Sequence, residues 1–258
     1  MTTRNIKTAR PVALRPHRMT AIVVGVLYLA GFVVGIGGEG LIQSILGQPD
    51  RLSAVSARGM TVAVGAVLWL MAVAGDAAHG VLMFPILKQH GERLAVGYLA
   101  ARIIDAIFIA IMVLFVLLQI PLAKEYATAS TSDAPYLHAL SNVSVQASKY
   151  AYQLGMSTLG LAGLTLCFTL YKAHLVPRPL AIWGLAGYAI IFVGMVSEFM
   201  GSGLELASSI PGGLWEVFIG VWLIAKGFSS PDATPASSAT AITQGPAVGR
   251  AVEAPVVA

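Results

Sequence analysis

The chain has 258 residues, of which 57% are hydrophobic and only 11% are charged, and its formal net charge is +4. A soluble globular protein has about 25% charged residues, because its surface must be hydrated. This composition excludes a water-soluble globular protein and predicts an all-α, polytopic integral membrane protein. The basic residues are dispersed and accompany no nucleic-acid-binding motif, so we expect the lipid bilayer, and not a nucleic acid, as partner.

Six apolar segments follow one another along the chain, each near the roughly 20 residues that cross a bilayer as a helix. We predict transmembrane helices over residues 19–38, 60–85, 98–120, 150–171, 179–200 and 212–228. The sixth segment is short and is opened by the stretch "IPGG". The outer loop 121–149 contains polar stretches and has room for a short helix.

These segments divide the chain into three parts. Residues 1–18 contain five basic residues and no acid, which predicts a basic cytoplasmic N-terminal segment before a first helix that is retained. Residues 19–228 form the predicted six-helix transmembrane domain. Residues 229–258 are rich in Ala, Ser, Thr and Pro without a period, which predicts a disordered cytoplasmic tail.

The distribution of lysine and arginine predicts the orientation, because cytoplasmic loops carry an excess of both. With the N-terminus inside, ten of them flank the cytoplasmic ends of the predicted helices. The four on the outer side are Arg51, Arg58, Lys124 and Lys149. We therefore expect both termini in the cytoplasm and the protein in the cytoplasmic membrane.

Glycines should determine how closely the helices pack, because lipid supplies no hydrophobic drive for helix association. Gly31 and Gly35 form a G-x-x-x-G motif in the first segment, and Gly155, Gly160 and Gly163 mark the fourth. We expect both sets to serve helix packing within one chain, with a dimer face as the alternative.

Four ionisable residues lie inside two consecutive predicted helices. Asp76 and His79 are three residues apart in "AGDAAHGV", and Arg102 and Asp105 are three apart in "YLAARIID", so each pair shares a helical face. A short connection predicts antiparallel packing, with Asp76 at the depth of Asp105 and His79 at that of Arg102. We expect Arg102 to reach both aspartates and His79 to reach Asp105.

Three roles are open for this intramembrane polar cluster. It could be a structural latch, a buried ion-pair network that determines how two helices pair. It could be a proton or ion relay, because ionisable groups inside a membrane are functional candidates by default. A divalent metal on Asp76, His79 and Asp105 is the third option, but the adjacent Arg102 would repel a cation, so we predict neither a metal site nor a cofactor.

A second set of charged residues, Lys149, Glu198 and Glu216, is predicted on the outer side. Glu216 begins the sixth segment, where a carboxylate favours the helix N-terminus. Glu198 could pair with Lys149, and the set could line an outer vestibule. We expect Glu39, at the end of the first segment, to be merely solvated or capping. No nucleophile–base pattern or phosphate-binding loop is present in the sequence, so no catalytic residue is predicted.

Three stretches carry a further signal, namely "RIID", "LVPRPLAIWGLAGYAI" and "PGGLWEVFIGVWLIAKGF". Their order and spacing resemble the patterns of a bacterial family of six-span membrane proteins, domain of unknown function 4386, over about residues 15–228. Asp105 departs from that pattern, which favours glutamate at this position. The resemblance implies a six-helix architecture in a membrane and no established activity.

Three functional hypotheses follow. The first is small-solute or ion transport, coupled to protons through the intramembrane polar cluster. The second is a non-catalytic membrane subunit or regulator, in which the cluster is a latch and a protein partner or a homo-oligomer is expected. An intramembrane enzyme is third, because neither a nucleophile–base pair nor a metal triad is visible in the sequence.

Overall fold

A computed structural model describes residues 17–229, which contain seven α-helices and no strand. The helices are α1 (Arg18–Leu46), α2 (Arg51–Lys88), α3 (Glu92–Leu117), α4 (Gln119–Thr128), α5 (Ala134–Lys172), α6 (Arg178–Glu198) and α7 (Glu205–Ala225). Six helical stretches are long and apolar enough to cross a membrane, and α3 and α4 together form one of them. The predicted all-α, six-span architecture is confirmed. Most of the basic N-terminal segment and nearly all of the predicted tail lie outside the described residues.

The long helices form a closed ring. Each packs against the next in the order α1, α2, α3, α5, α6 and α7, and α7 packs against α1. Because the helices alternate in direction, Arg18 and Ala225 lie at the same end of the ring, here called the terminal end; the opposite end is the far end. The Arg18 guanidinium closes the ring by donating to the carbonyls of Leu223 at 2.9 Å and Ile224 at 2.6 Å.

The outer surface of the ring is apolar. Large hydrophobic side chains such as Val33, Ile36 and Met60 are 69–77% exposed. Water would penalise this surface, whereas hydrocarbon does not, and helices satisfy their backbone hydrogen bonds internally, as a bilayer requires. The chain is therefore a multi-pass membrane protein.

The far end of the ring is more helical than the sequence predicts. Pro121 cannot donate a backbone hydrogen bond to Leu117, and α3 ends at Leu117, before α4 begins at Gln119. α4 is the short helix expected in the outer loop, and α5 begins at Ala134, well before residue 150. Fully buried Gln119 ties α4 to α5, because its amide accepts from the Ser141 hydroxyl at 2.6 Å.

Helix α7 begins seven residues earlier than predicted, at Glu205 instead of residue 212. The "IPGG" stretch lies inside this helix, and its glycines serve packing instead of interrupting it. A Cβ at Gly187 in α6 would lie only 2.9 Å from the Cα of Gly212. Pro211 is accommodated because the neighbouring helix stabilises the backbone around it.

Glycines pack closely in α5 but not at the predicted motif in α1. A Cβ at Gly163 would overlap the ring of Tyr188, and one at Gly160 would lie 2.9 Å from Phe192. A Cβ at Gly31 would meet nothing within 4 Å, and one at Gly35 would only touch the Trp69 ring. The packing role predicted for the G-x-x-x-G of α1 is therefore wrong, whereas that of the α5 glycines is confirmed.

These contacts predict opposite effects for two Gly→Ala substitutions. Gly163→Ala should destabilise the protein by about 1–3 kcal/mol, because the new methyl group overpacks against Tyr188. Gly31→Ala should stabilise it by about 0.5–1 kcal/mol, because alanine favours a helix and the site has room. Thermal unfolding of both variants in detergent checks this, and equal midpoints would contradict it.

Candidate functional site

Helices α2 and α3 bring Arg102 against two carboxylates. The helices run antiparallel because only three residues separate Lys88 from Glu92. Arg102 Nη2 lies 2.5 Å from Asp76 Oδ1, and Arg102 Nη1 lies 3.4 Å from Asp105 Oδ2. The first contact is a charge-assisted hydrogen bond, while the second is at the distance limit of one. Arg102 and Asp76 therefore form the principal ion pair.

The three residues differ in their exposure. Arg102 is 5% and Asp105 1% exposed, whereas the side chain of Asp76 keeps 33% of its accessible surface. Asp76 is thus the accessible member of the group and Asp105 the enclosed one. Two carboxylates share one guanidinium, so when all three are ionised the group carries one surplus negative charge.

His79 departs from the expected contact. Its Nδ1 lies 2.5 Å from the hydroxyl of Tyr98, and not against Asp105, while the ring of Tyr28 packs edge-on at 4.5 Å. His79 is one turn closer to the terminal end than Asp76 and faces α1, so the carboxylate of Asp105 is beyond its contacts. Asp76, His79 and Asp105 consequently do not converge as a ligand set, and no metal-ligand group of three occurs within residues 17–229.

His79 also lines a small cavity, and its other ring nitrogen has no described partner. Nε2 is buried and makes no hydrogen bond to any described residue. The cavity, about 10 Å³, is lined by His79 and by apolar and aromatic side chains that include Tyr28, Met83 and Trp215. This volume is about the minimum that holds one water molecule.

A polar and aromatic layer crosses the ring at one depth. Its members lie nine or ten residues from the terminal ends of their helices, about 15 Å along the axis. They are Tyr28, His79, Arg102, Tyr188, Trp215 and Glu216. The Tyr188 hydroxyl donates to Glu216 Oε1 at 2.6 Å.

Glu216 therefore lies elsewhere than predicted. The sequence suggested the outer beginning of the sixth helix, but α7 starts at Glu205, which moves Glu216 to the middle of the helix. Together with Asp76 and Asp105, which lie within one helical turn of this depth, Glu216 makes three carboxylates against the one guanidinium of Arg102. These four residues carry two surplus negative charges when all of them are ionised.

A second feature is a cavity of about 490 Å³ at the far end of the ring, here called the vestibule. Residues of α1, α2, α3, α5 and α7 line it, and it reaches the surface at exposed Gln48 and Lys149. Its polar and aromatic lining comprises Glu39, Gln43, Gln48, Arg51, Trp69, Phe115, Ser148, Lys149, Tyr152 and Glu205. Of the three outer residues predicted from the sequence, only Lys149 lines it.

Glu198 has a structural role instead. Its Oε1 accepts from the backbone N–H groups of Leu204 and, at 2.8 Å, Glu205. These groups at the start of α7 have no partner within the helix, so a carboxylate from the preceding helix end satisfies them. Glu198 is therefore engaged at this turn, and its expected pairing with Lys149 is absent from the ion pairs of residues 17–229.

Of the two carboxylates of the vestibule, sequence reasoning missed Glu205 and expected Glu39 to be merely solvated or capping. Glu39 Oε2 accepts from Trp69 Nε1 at 3.2 Å, so it is held in place rather than merely solvated. Glu205 Oε2 accepts from Gln153 Nε2 at 3.3 Å. Glu205 fell in a predicted loop. Continuing the helical pattern backwards through Pro211 would have placed it on α7.

An apolar plug lies between the vestibule and the polar and aromatic layer. It consists of Ala66, Ile109, Met112, Val113 and Ala151, with Trp69 and Tyr152 packed against it. Ile109 follows Asp105 by one helical turn, about 5 Å along α3. Along α3 the plug residue Ile109 thus lies between Met112, which lines the vestibule, and the buried carboxylate of Asp105.

The comparison with known protein families identifies the family of the chain. A family described as Domain of unknown function (DUF4386) matches residues 23–227, and the chain therefore belongs to this family. No curated protein and no solved structure matches the chain. The resemblance drawn from the sequence motifs is confirmed, and the matched region contains every residue of the charged layer and of the vestibule.

The Arg102–Asp76 ion pair predicts strong energetic coupling. Arg102→Gln should cost about 3–5 kcal/mol in unfolding free energy, because it leaves both Asp76 and the buried Asp105 without their countercharge. Asp76→Asn in the same chain should recover part of that loss, giving a coupling energy of about 1–3 kcal/mol. A double-mutant cycle of unfolding in mixed detergent micelles measures it.

The control for this cycle is the Lys88–Glu92 pair, whose side chains are 52% and 68% exposed. Removing that exposed pair should change stability by less than about 1 kcal/mol. Additive effects of Asp76→Asn and Arg102→Gln would contradict the assignment of a principal ion pair.

Proposed function

We propose that this member of the DUF4386 family transports a small solute across the membrane and couples that movement to protons. The observation that carries the proposal is the axial sequence of a solute-sized vestibule, an apolar plug and the enclosed carboxylate of Asp105. In this function the vestibule admits the solute and Asp105 carries the proton.

The size and position of the vestibule support entry of a small molecule. Its volume of about 490 Å³ is within the range of about 300–1,000 Å³ that is typical of small-molecule sites. Toward the terminal end, the ring is filled by core side chains such as Ala21, Leu87, Leu170 and Leu223. A site that is accessible from one end and closed at the other is what alternating access requires.

The charge balance of the polar layer supports a proton as the coupling ion. Ionisable groups inside a membrane are costly and are functional candidates by default. Three carboxylates, Asp76, Asp105 and Glu216, lie within about one helical turn in depth of the single guanidinium, and Asp76 makes the shorter of its two ion-pair contacts. A proton on Asp105 removes one surplus charge. Arg102, held by Asp76, acts as a positioning residue that influences when Asp105 releases this proton.

The direction of solute transport follows from the orientation that we propose for the protein in the membrane. The excess of basic residues at the terminal end favours that end in the cytoplasm, so the vestibule faces the outside of the cytoplasmic membrane. A solute would then enter from outside. Opening of the plug would expose Asp105 to the vestibule, and closure would return it to the layer around Arg102.

A second candidate function is favoured by the buried ion pair that Arg102 of α3 forms with Asp76 of α2. In a non-catalytic membrane subunit or regulator, this ion pair would be a latch between α2 and α3, and Asp105 would only complete it. Such a protein would act through a protein partner or a homo-oligomer and would move no solute.

Proton entry into proteoliposomes distinguishes the two functions. The purified protein would be reconstituted around a pH-sensitive dye, and pools of sugars, amino acids, nucleobases, amines and carboxylates would be added outside at acidic pH. We expect one pool to acidify the lumen with wild-type protein. Asp105→Asn should abolish this acidification while unfolding at a temperature at or above that of wild type, because it removes a surplus buried charge.

The matched control is Asp133→Asn, an exposed aspartate before α5 that lies outside the polar layer. It should keep the wild-type rate of acidification. If no pool acidifies the lumen although the wild-type protein is folded, the transport function is wrong and the latch is favoured. Unchanged acidification with Asp105→Asn would show that another group carries the proton.

A further inference from the structure

We infer that the vestibule binds a zwitterionic solute of the amino-acid class, held at its ammonium and carboxylate groups by separate walls. The contacts described in the next paragraphs support the binding site, and its role in solute uptake rests on the proposed function.

The charged lining of the vestibule is balanced. It contains two carboxylates, Glu39 and Glu205, and two cations, Arg51 and Lys149. None of the four forms an ion pair with another of the residues 17–229. Opposite charges that face one cavity without neutralising each other match a solute that carries both signs. A wall of zero net charge also gives no preference for a solute with net charge.

The cationic wall can hold a carboxylate. The Arg51 guanidinium is oriented by bonds from Nε to the Leu46 carbonyl at 3.0 Å and from Nη1 to Asn142 Oδ1 at 3.1 Å. Its Nη2 makes no hydrogen bond to the described chain, and neither does the exposed ammonium of Lys149. A preoriented guanidinium and a mobile ammonium are the usual partners of a carboxylate.

The opposite wall offers acceptors and aromatic faces to an ammonium. Glu205 is held by Gln153, whose Oε1 is buried without a hydrogen-bond partner among the described residues. Glu39 is held by Trp69, whose ring lies 6.2 Å from that of Tyr152. An ammonium donates three hydrogen bonds and is attracted to aromatic faces, so carboxylates beside these rings suit it.

The two walls are close enough for one small solute. Lys149 and Gln153 are four residues apart on α5, which makes their side chains neighbours at about 5–6 Å. Gln153 in turn contacts Glu205 at 3.3 Å. Gln153 itself does not line the vestibule, but it connects the two charged residues that do, so Lys149 and Glu205 lie on neighbouring parts of the lining, within reach of one small zwitterion.

Direct binding to the purified full chain tests the inference. The probes are the twenty amino acids, with ethylamine, propionate and glucose for comparison, and calorimetry gives each Kd. We expect at least one amino acid to bind and the three comparison solutes not to bind. Lys149→Gln and Glu205→Gln should each weaken that binding by about tenfold, because each removes one charge-assisted contact.

Two matched control variants change charged residues of α4, outside the cavity. Lys124→Gln and Glu125→Gln remove exposed charges of α4 that do not line the vestibule, and both should keep the wild-type Kd. Binding of propionate, ethylamine or glucose alone would overturn the inference, as would no binding at all to folded protein. Unchanged affinity in both Lys149→Gln and Glu205→Gln would also overturn it.

The outcomes separate this inference from the proposed function. If an amino acid binds with the expected dependence on Lys149 and Glu205 but never drives proton entry, the zwitterion site stands and transport fails. If a solute of another class drives proton entry and no amino acid binds, transport stands and the zwitterion site fails.

Discussion

Inside a helix bundle that lipid surrounds, a charged side chain must be paired with neighbouring groups. The structure depends on this constraint. Arg102 lies in the middle of a transmembrane helix, where no solvent can compensate it, so its partners must come from neighbouring side chains. Asp76 supplies the short contact and Asp105 the longer one. Because these partners come from consecutive helices, the ion pair ties α2 to α3 at a defined depth, and the rest of the ring is built around that pair.

Close helix packing connects this depth to the far side of the ring. The missing side chain of Gly163 leaves the space that the ring of Tyr188 occupies. Tyr188 can then direct its hydroxyl to Glu216 on α7 and pack against Trp215 at 5.4 Å. Small residues thus do more than bring helices together. They allow large polar aromatic side chains into the interior, where such groups stabilise a carboxylate that lipid could not.

The sequence predicts the depth of a residue along its helix better than the direction in which its side chain points. Apolar length located six spans, and a short connection placed Asp76 at the depth of Asp105 and within reach of Arg102, because rise per residue is constant in a helix. The rotation of each helix is set by packing, which single-sequence spacing does not contain. For that reason His79 contacts Tyr98 and not Asp105. Glu205 was missed because proline and glycine predict a loop, whereas in this ring they lie within a packed helix.

The interface of α3 and α5 contains all three parts of the proposed mechanism. Met112 and Tyr152 line the vestibule, while Ile109 belongs to the plug. A Cβ at Gly155 would lie 2.8 Å from Ile109 and 3.4 Å from the carbonyl oxygen of Asp105. A glycine here lets α5 lie almost directly on the backbone that carries the buried carboxylate. Sliding of α5 along α3 would therefore change the vestibule floor, the plug and the surroundings of Asp105 together, so one packed interface suffices to link solute entry to proton release.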